Sequence, residues 1–176
     1  MTHSDPLLNP APLIRRVYSY VAYRIGPGAD AEDVTSDVFE RALRYRASYD
    51  KSLGRPLPWL LGIARRCVDD AVARRPPVAD SQAADQASGE DVEGEAVQRL
   101  AVASALNTLD DRAQDLIALR YGADLSARQI GEILGMKTNA VEVALHRALA
   151  RLRAQAEDTE GEKRRTRAKP APRGAR

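Results

Sequence analysis

The chain has 176 residues, with 27 Lys and Arg against 25 Asp and Glu and a formal net charge of +2. This length suits one ordinary domain or two small ones. With one Trp, one Phe and one cysteine, the composition excludes a core rich in aromatic side chains and any intrachain disulfide. The sequence contains no signal-peptide pattern and no apolar run of about 20 residues, so we expect a cytoplasmic protein without membrane contact.

Apolar side chains at helical spacing predict three helices within residues 1–75. The first covers residues 13–25, the second begins at a cap formed by Asp30, and the third covers residues 58–75. Residues 46–56, between the second and third helices, carry Ser, Asp, Gly and Pro and are predicted to form a loop. These elements indicate a first small helical domain.

Residues 76–95 differ in character from what precedes them. They combine Pro, Ser, Gln and Gly with six acidic residues and no basic residue, which predicts a flexible acidic linker. Residues 96–156 again show helical periodicity, and residues 157–176 are predicted to be a disordered basic tail. The predicted fold class is therefore all-α, with two small helical domains that move independently about the linker.

The second domain has the layout of a helix-turn-helix. Ser126 and Gln129 have the spacing of a capping box, Gly135 suits a left-handed turn, and Thr138 can cap a longer final helix. In such a motif the second helix lies in the major groove of DNA. The side chains expected on its DNA-facing side are Lys137, Thr138, Asn139, Glu142, Val143, His146, Arg147 and Arg151. An ordinary helical hairpin with a solvated charged face remains the alternative to this interpretation.

Two stretches resemble known sequences. The second domain contains LDDRAQDLIALRYGADLSARQIGEILGMKTNAVEVALHRALARLRA, which resembles the domain of bacterial sigma factors that binds the −35 promoter element. The first domain contains DAEDVTSDVFERALRYRASYD and LPWLLGIARRCVDDAVARR, which resemble the sigma domain that binds RNA polymerase and opens the −10 element. Their order over residues 13–154 resembles the extracytoplasmic-function group of sigma factors.

The resemblance implies roles for particular side chains. In the second helix, the residues implied to dock on the polymerase are Asp33, Asp37, Glu40 and Arg41. In the following loop, the residues implied to capture a flipped −10 base are Ser48, Tyr49 and Asp50. The residues implied to follow the strand backbone are Arg65, Arg66, Arg74 and Arg75. The apolar stripe around Trp59 makes it a core residue in this interpretation.

The implied partners are the polymerase core and promoter DNA, and the resemblance leaves open an anti-sigma factor as a further partner. An enzyme is a poorer interpretation, because the sequence has two histidines, no phosphate-binding loop, no HExxH and no GxSxG. We therefore predict no catalytic residue, metal or cofactor. A helix-turn-helix regulator that does not replace a sigma subunit would account for the second domain but not the first.

Overall fold

The computed structural model describes residues 7–50, 52, 55–74, 105–106 and 108–157, and the backbone of 158–167. Within these residues every element of regular structure is a helix, which confirms the predicted all-α fold class with two small helical domains. The predicted linker at 76–95 lies outside the described residues. None of the described helices is both long and apolar enough to cross a membrane.

Three helices form the first domain, here called the N-terminal unit. They are α1 (Pro10–Ile25), α2 (Ala29–Arg44) and α3 (Pro56–Arg74), and a short 3-10 helix, Arg46–Ser48, follows α2. The predicted helices are all present. The first begins at Pro10 rather than at residue 13, because the fixed φ of proline suits a first helical turn.

The turn between α1 and α2 depends on glycine. Gly26 and Gly28 have φ values of +91° and +120°, in a region that side chains with a Cβ rarely adopt. Gly28 is also the residue that precedes α2, so Asp30 lies in the first turn of the helix instead of capping it. Its negative charge still favours the helix there, since the amino-terminal end of a helix is electropositive.

The second domain, here called the C-terminal unit, consists of four helical segments. These are α4 (Asp111–Ile117), a π-helical turn (Ala118–Gly122), α5 (Ala127–Leu134) and α6 (Thr138–Arg167). Asp110 caps α4, because its Oδ1 accepts a hydrogen bond of 2.9 Å from the amide of Ala113. Of the helix predicted from residue 96, residues 96–104 lie outside the described part.

The last helix is longer than the sequence predicts. α6 has 30 residues and continues to Arg167, well into the stretch 157–176 that is predicted to be a disordered tail. Glu, Lys, Arg and Ala dominate residues 150–165, and these residue types have high helix propensity. A basic composition therefore identified the segment without fixing its conformation.

The two units pack against each other and share one hydrophobic core. α1 lies against the π-helical turn and α4. The backbones come closest at Gly122, where an added Cβ would lie 2.8 Å from the carbonyl oxygen of Ser19. We expected units that move independently, but periodicity within single helices cannot reveal which faces of distant helices complement each other.

Candidate nucleic-acid interface

The helix-turn-helix is held by local hydrogen bonds that the sequence predicts. The amide of Gln129 donates to Ser126 Oγ at 3.3 Å, and the amide of Ser126 donates to Gln129 Oε1 at 2.9 Å. This is the predicted capping box at the start of α5. At the other end Gly135 has a φ of +65°, as predicted for a left-handed C-terminal residue.

A second glycine in the motif was missed by sequence reasoning. A Cβ added to Gly131 would lie 2.6 Å from the carbonyl oxygen of Met136, and the amide of Met136 donates to the carbonyl oxygen of Gly131 at 2.9 Å. The turn thus folds back onto α5 at a distance that no side chain allows. A glycine inside the apolar pattern of a short helix was the available signal.

α6 separates its side chains into a buried stripe and an exposed face. Val141, Leu145 and Ala148 are buried. The exposed side chains at and beside the start of this helix include all those expected to face DNA, namely Lys137, Thr138, Asn139, Glu142, Val143, His146, Arg147 and Arg151. We call these eight residues the recognition face. Thr138 is the first residue of α6, and the helix begins with a hydrogen bond from Val141 to the carbonyl of Lys137.

The loop expected to capture a base is ordered by internal contacts. Ser48 Oγ donates to the carbonyl of Tyr45 at 2.7 Å. The ring of Tyr49 lies 5.4 Å from that of Trp59 at an interplanar angle of 53°, and Trp59 packs partly buried against the core as predicted. Asp50 accepts from the amide of Ser52 at 2.8 Å, and hydrogen bonds from Ser52 hold the pKa of Asp50 below its usual value.

The arginines expected to follow the −10 strand are not equivalent in the structure. Arg66 is exposed. Arg65 Nε donates to Asp115 Oδ2 at 2.9 Å, and Arg74 Nε donates to the carbonyl of Asp70 at 3.0 Å. Arg75, the fourth of these residues, lies outside the described residues.

A small cavity of about 290 Å³ adds residues that sequence reasoning did not place on this surface. It is lined by Arg41, Arg44, Tyr45, Ile63 and Arg66. The sequence places an aromatic ring next to arginine at Arg44 and Tyr45, just before the predicted loop, and this pairing was the signal that could have identified them.

The residues expected to bind polymerase fall into two groups. Asp33 and Asp37 line a groove of about 280 Å³ whose other lining residues are Ile25, Asp30, Val34, Ala71 and Arg74. Glu40 and Arg41 are instead engaged within the chain. Arg44 bonds to Glu40 at 3.0 Å, and Arg41 bonds to Asp70 at 3.1 Å. Asp33 and Asp37 are therefore the better placed pair for an external partner.

The described residues contain no group of three or more His, Cys, Asp or Glu side chains arranged to hold a metal ion. Cys67 is 1% exposed, and burial raises the pKa of its thiol. Its environment is that of a core residue.

Two family models match the chain, one for each unit. Residues 12–76 match Sigma-70 region 2, and residues 105–154 match Sigma-70, region 4. The chain is 32% identical over 144 residues to the ECF RNA polymerase sigma factor BldN of Streptomyces coelicolor. That match covers 77% of this chain and 54% of the relative, or about half its length.

Other comparisons agree with this one. The chain is 25% identical over 146 residues to the ECF sigma factor SigK of Mycobacterium ulcerans, with 78% of each chain covered. Among solved structures, CnrH in complex with the cytosolic domain of CnrY has a TM-score of 0.61 at 23% identity, covering 84% of this chain and 82% of that one. RpoE of Bartonella quintana, bound to NepR, has a TM-score of 0.56 at 18% identity, covering 82% and 92%. These two structures share the fold.

Proposed function

Because the chain belongs to the extracytoplasmic-function group of sigma-70 factors, we propose that it binds RNA polymerase core and directs promoter-specific initiation by recognising −10 and −35 elements. The observation that carries this proposal is the order of the two units in one chain. A region 2 match precedes a region 4 match, and the second unit presents an exposed recognition face on a helix-turn-helix. The polymerase performs the chemistry, and this chain contributes binding only.

The recognition face is proposed to read the −35 element in the major groove. Lys137, Arg147 and Arg151 suit phosphate contacts, which raise affinity without reading sequence. Asn139 and Glu142 suit base edges, because an amide can pair with adenine and a carboxylate can accept from the amino group of cytosine. Arg151 reaches DNA only by leaving Asp110, to which it bonds at 3.1 Å across an exposed surface.

The −10 strand is proposed to cross the surface between α2 and α3. Exposed aromatic rings and arginines bind single-stranded DNA by stacking on bases and neutralising phosphates. Tyr45 and Arg44 share the cavity with Arg66, which supports adding them to the predicted set. Ser48 and Asp50 stand at the edge of this surface, in the loop proposed to hold a flipped base.

The groove beside Asp33 and Asp37 is proposed to bind the polymerase core. Its floor contains the apolar side chains Ile25, Val34 and Ala71, and its rim is mostly acidic. An amphipathic helix with a basic edge would complement both features. Changing Asp33 and Asp37 to Asn should lower core affinity and weaken its salt dependence, whereas Glu32→Gln, on the same helix but outside the groove, should leave both unchanged.

Reconstituted transcription tests the proposal as a whole. Purified core polymerase should initiate at defined sites on a library of promoter fragments only when this chain is added. Arg147→Ala should reduce that initiation, and Arg15→Ala, which removes the same charge from an exposed site on α1, should not. Initiation that requires another sigma factor would instead identify a helix-turn-helix regulator, the alternative that leaves the region 2 match unexplained.

Two further expectations belong to this proposal. An anti-sigma factor is a proposed partner, supported by the two neighbours of like fold that were solved as complexes. A protein that binds the purified chain and prevents its association with core would establish it. The cytoplasm is the proposed location, since the polymerase acts there, and fractionation of cells with core polymerase as the marker tests it.

A further inference from the structure

A buried carboxylate joins the two units. Tyr20 of α1 donates from its hydroxyl to Asp115 Oδ1 at 2.7 Å, and Arg65 of α3 donates from Nε to Asp115 Oδ2 at 2.9 Å. The Asp115 side chain is 10% exposed. Both of its oxygens are thus bonded to the N-terminal unit, although Asp115 itself belongs to α4. Burial and the neighbouring carboxylate raise the pKa of Tyr20 above its usual value, which keeps the phenol protonated as a donor.

Two more arginines of α1 extend this contact. Arg16 donates to the carbonyl oxygens of Ala123 and Asp124, each at 2.7 Å. Arg24 donates to Gln114 Oε1 at 3.0 Å. Together with the approach of Ser19 to Gly122, these bonds form a surface that we call the closing contact. It is polar and specific, and it joins helices separated by more than 80 positions in the chain.

The closing contact has different consequences for the two DNA-binding surfaces. Arg65 is one of the residues proposed to follow the −10 strand, and in this arrangement its guanidinium Nε is bonded to Asp115. The recognition face, by contrast, is exposed in the same arrangement. The closed form therefore withholds part of the −10 surface and leaves the −35 surface open.

Geometry requires the two units to separate on a promoter. Elements centred at −10 and −35 lie about 25 base pairs apart, or about 85 Å of B-form DNA at 3.4 Å per pair. A compact chain of this size has a radius of gyration of only about 16 Å. The 30 residues from 75 to 104 can span about 100 Å when extended, so the covalent connection permits the separation that the closing contact opposes.

We propose that the free chain is held closed by this contact, with Asp115 as a latch that withholds Arg65 from the −10 strand until polymerase separates the units. The closed state itself follows from the contacts above, and only the statement about the −10 strand rests on the proposed function. A ligand that binds only the open state must overcome the closing equilibrium, and its apparent affinity falls by the fraction of open molecules.

Two chemically different substitutions test the latch. Asp115→Asn removes the charge that holds Arg65, and Gly122→Ala places a methyl group against the backbone of Ser19 without changing any charge. Glu132→Gln is the control, because Glu132 pairs with Arg128 on the exposed side of α5. Energy transfer is measured in the full chain between dyes on cysteines introduced at Ser36 and Ala154. The native Cys67 is buried and stays in place.

The wild type and the control should show high energy transfer that falls when core polymerase is added, and both latch variants should show low transfer without it. High transfer in both variants, or low transfer in the free wild type, would overturn the closed state. Neither outcome depends on promoter recognition, so a failure here is distinct from a failure of the transcription assay.

A DNA-binding measurement tests the role of Arg65. The probes are a single-stranded oligonucleotide with the −10 sequence found by reconstitution and a duplex with the −35 sequence. Asp115→Asn should bind the single strand about tenfold more tightly than wild type and the duplex equally well. Adding Arg65→Ala should abolish the gain. An unchanged single-strand affinity in Asp115→Asn, or a gain that survives Arg65→Ala, would show that the latch does not act through Arg65.

Discussion

On α6 the side chains proposed to read DNA are exposed around a buried stripe, whereas in the N-terminal unit several of their counterparts are already bonded to other parts of the chain. Asn139 is exposed, but Arg65 is bonded to Asp115 and Arg74 to a carbonyl oxygen of its own helix. DNA that binds α6 mainly displaces water. DNA that binds the N-terminal unit must also replace internal hydrogen bonds, so each contact there contributes less net affinity.

The difference matches the two kinds of DNA involved. A duplex presents a fixed groove that a preformed helix can enter. A single strand has to be separated and its bases turned outward, which suits a surface that becomes available late. The comparison between an exposed face and an engaged one can be broken or sharpened by four substitutions.

Gly131→Ala should have the largest effect, because it removes the turn that positions α6. The added Cβ would meet the carbonyl oxygen of Met136 at 2.6 Å, and backbone at that distance must shift. Overpacking of this kind destabilises by about 1–3 kcal/mol, and binding to the −35 duplex should be lost with it. Denaturant unfolding followed by circular dichroism measures the first effect, and duplex titration measures the second.

The control for that substitution is Gly62→Ala. Gly62 lies inside α3 with nothing within 4 Å of its missing Cβ, so alanine should raise stability by up to about 1 kcal/mol. Equal stability of the two variants would contradict the close approach at Gly131.

Tyr20→Phe should weaken the engaged surface. The substitution leaves Asp115 Oδ1 buried without the phenol donor, and a buried polar atom that loses its partner costs about 1–3 kcal/mol. We expect a lower free energy of unfolding in chemical denaturation. Tyr18→Phe, a half-buried tyrosine on the same helix, is the matched control. A loss as large for Tyr18 as for Tyr20 would remove the special role of the hydrogen bond to Asp115.

Ser126→Ala should destabilise the C-terminal unit by about 1 kcal/mol, since it removes the cap of α5. The residue is exposed, so the change creates no cavity. Ser126→Asp should retain most of the stability because aspartate is also a good cap. If thermal unfolding gives alanine and aspartate the same midpoint, the capping box has no energetic role in presenting the recognition face.

Glu142→Gln should have the smallest effect on total affinity and should sharpen the account of the recognition face. If the carboxylate accepts a hydrogen bond from cytosine, the change should relax preference at one −35 position, where a good base contact is worth about 1–3 kcal/mol of discrimination. The alternative is a local pairing with His146, one turn along the exposed face. In that case affinity should rise equally for all sequences, which a selection from randomised −35 duplexes would detect.

Local signals allowed much of the C-terminal unit to be predicted. The capping box at Ser126 and Gln129 and the left-handed Gly135 are set by residues within a few positions of each other, so their spacing is visible in the sequence. The exposed set on α6 followed from helical periodicity around Val141 and Leu145. The end of this helix was not predictable in the same way, because a basic composition is compatible with both helix and disorder.

Contacts between distant helices could not be predicted. Nothing in the neighbourhood of Asp115 shows that its oxygens bond to Tyr20 and Arg65, which are 95 and 50 positions away. The cavity that brings Arg41 and Arg44 beside Arg66 likewise depends on how α2 and α3 pack. For the same reason Arg41 was assigned to the polymerase surface alone.

The bonds that Arg16 makes to two carbonyl oxygens bear on how this contact can change during evolution. A carbonyl oxygen is present whatever side chain is attached, so position 123 can drift without loss of its acceptor. Position 124 is narrower, since Asp124 has a φ of +52°, which favours Asp, Asn or Gly. Tyr20, Arg65 and Asp115 are different again, because each depends on the identity of the others. In sequences descended from a common ancestor, these three positions should therefore change together, while Arg16 persists across unrelated residues opposite it.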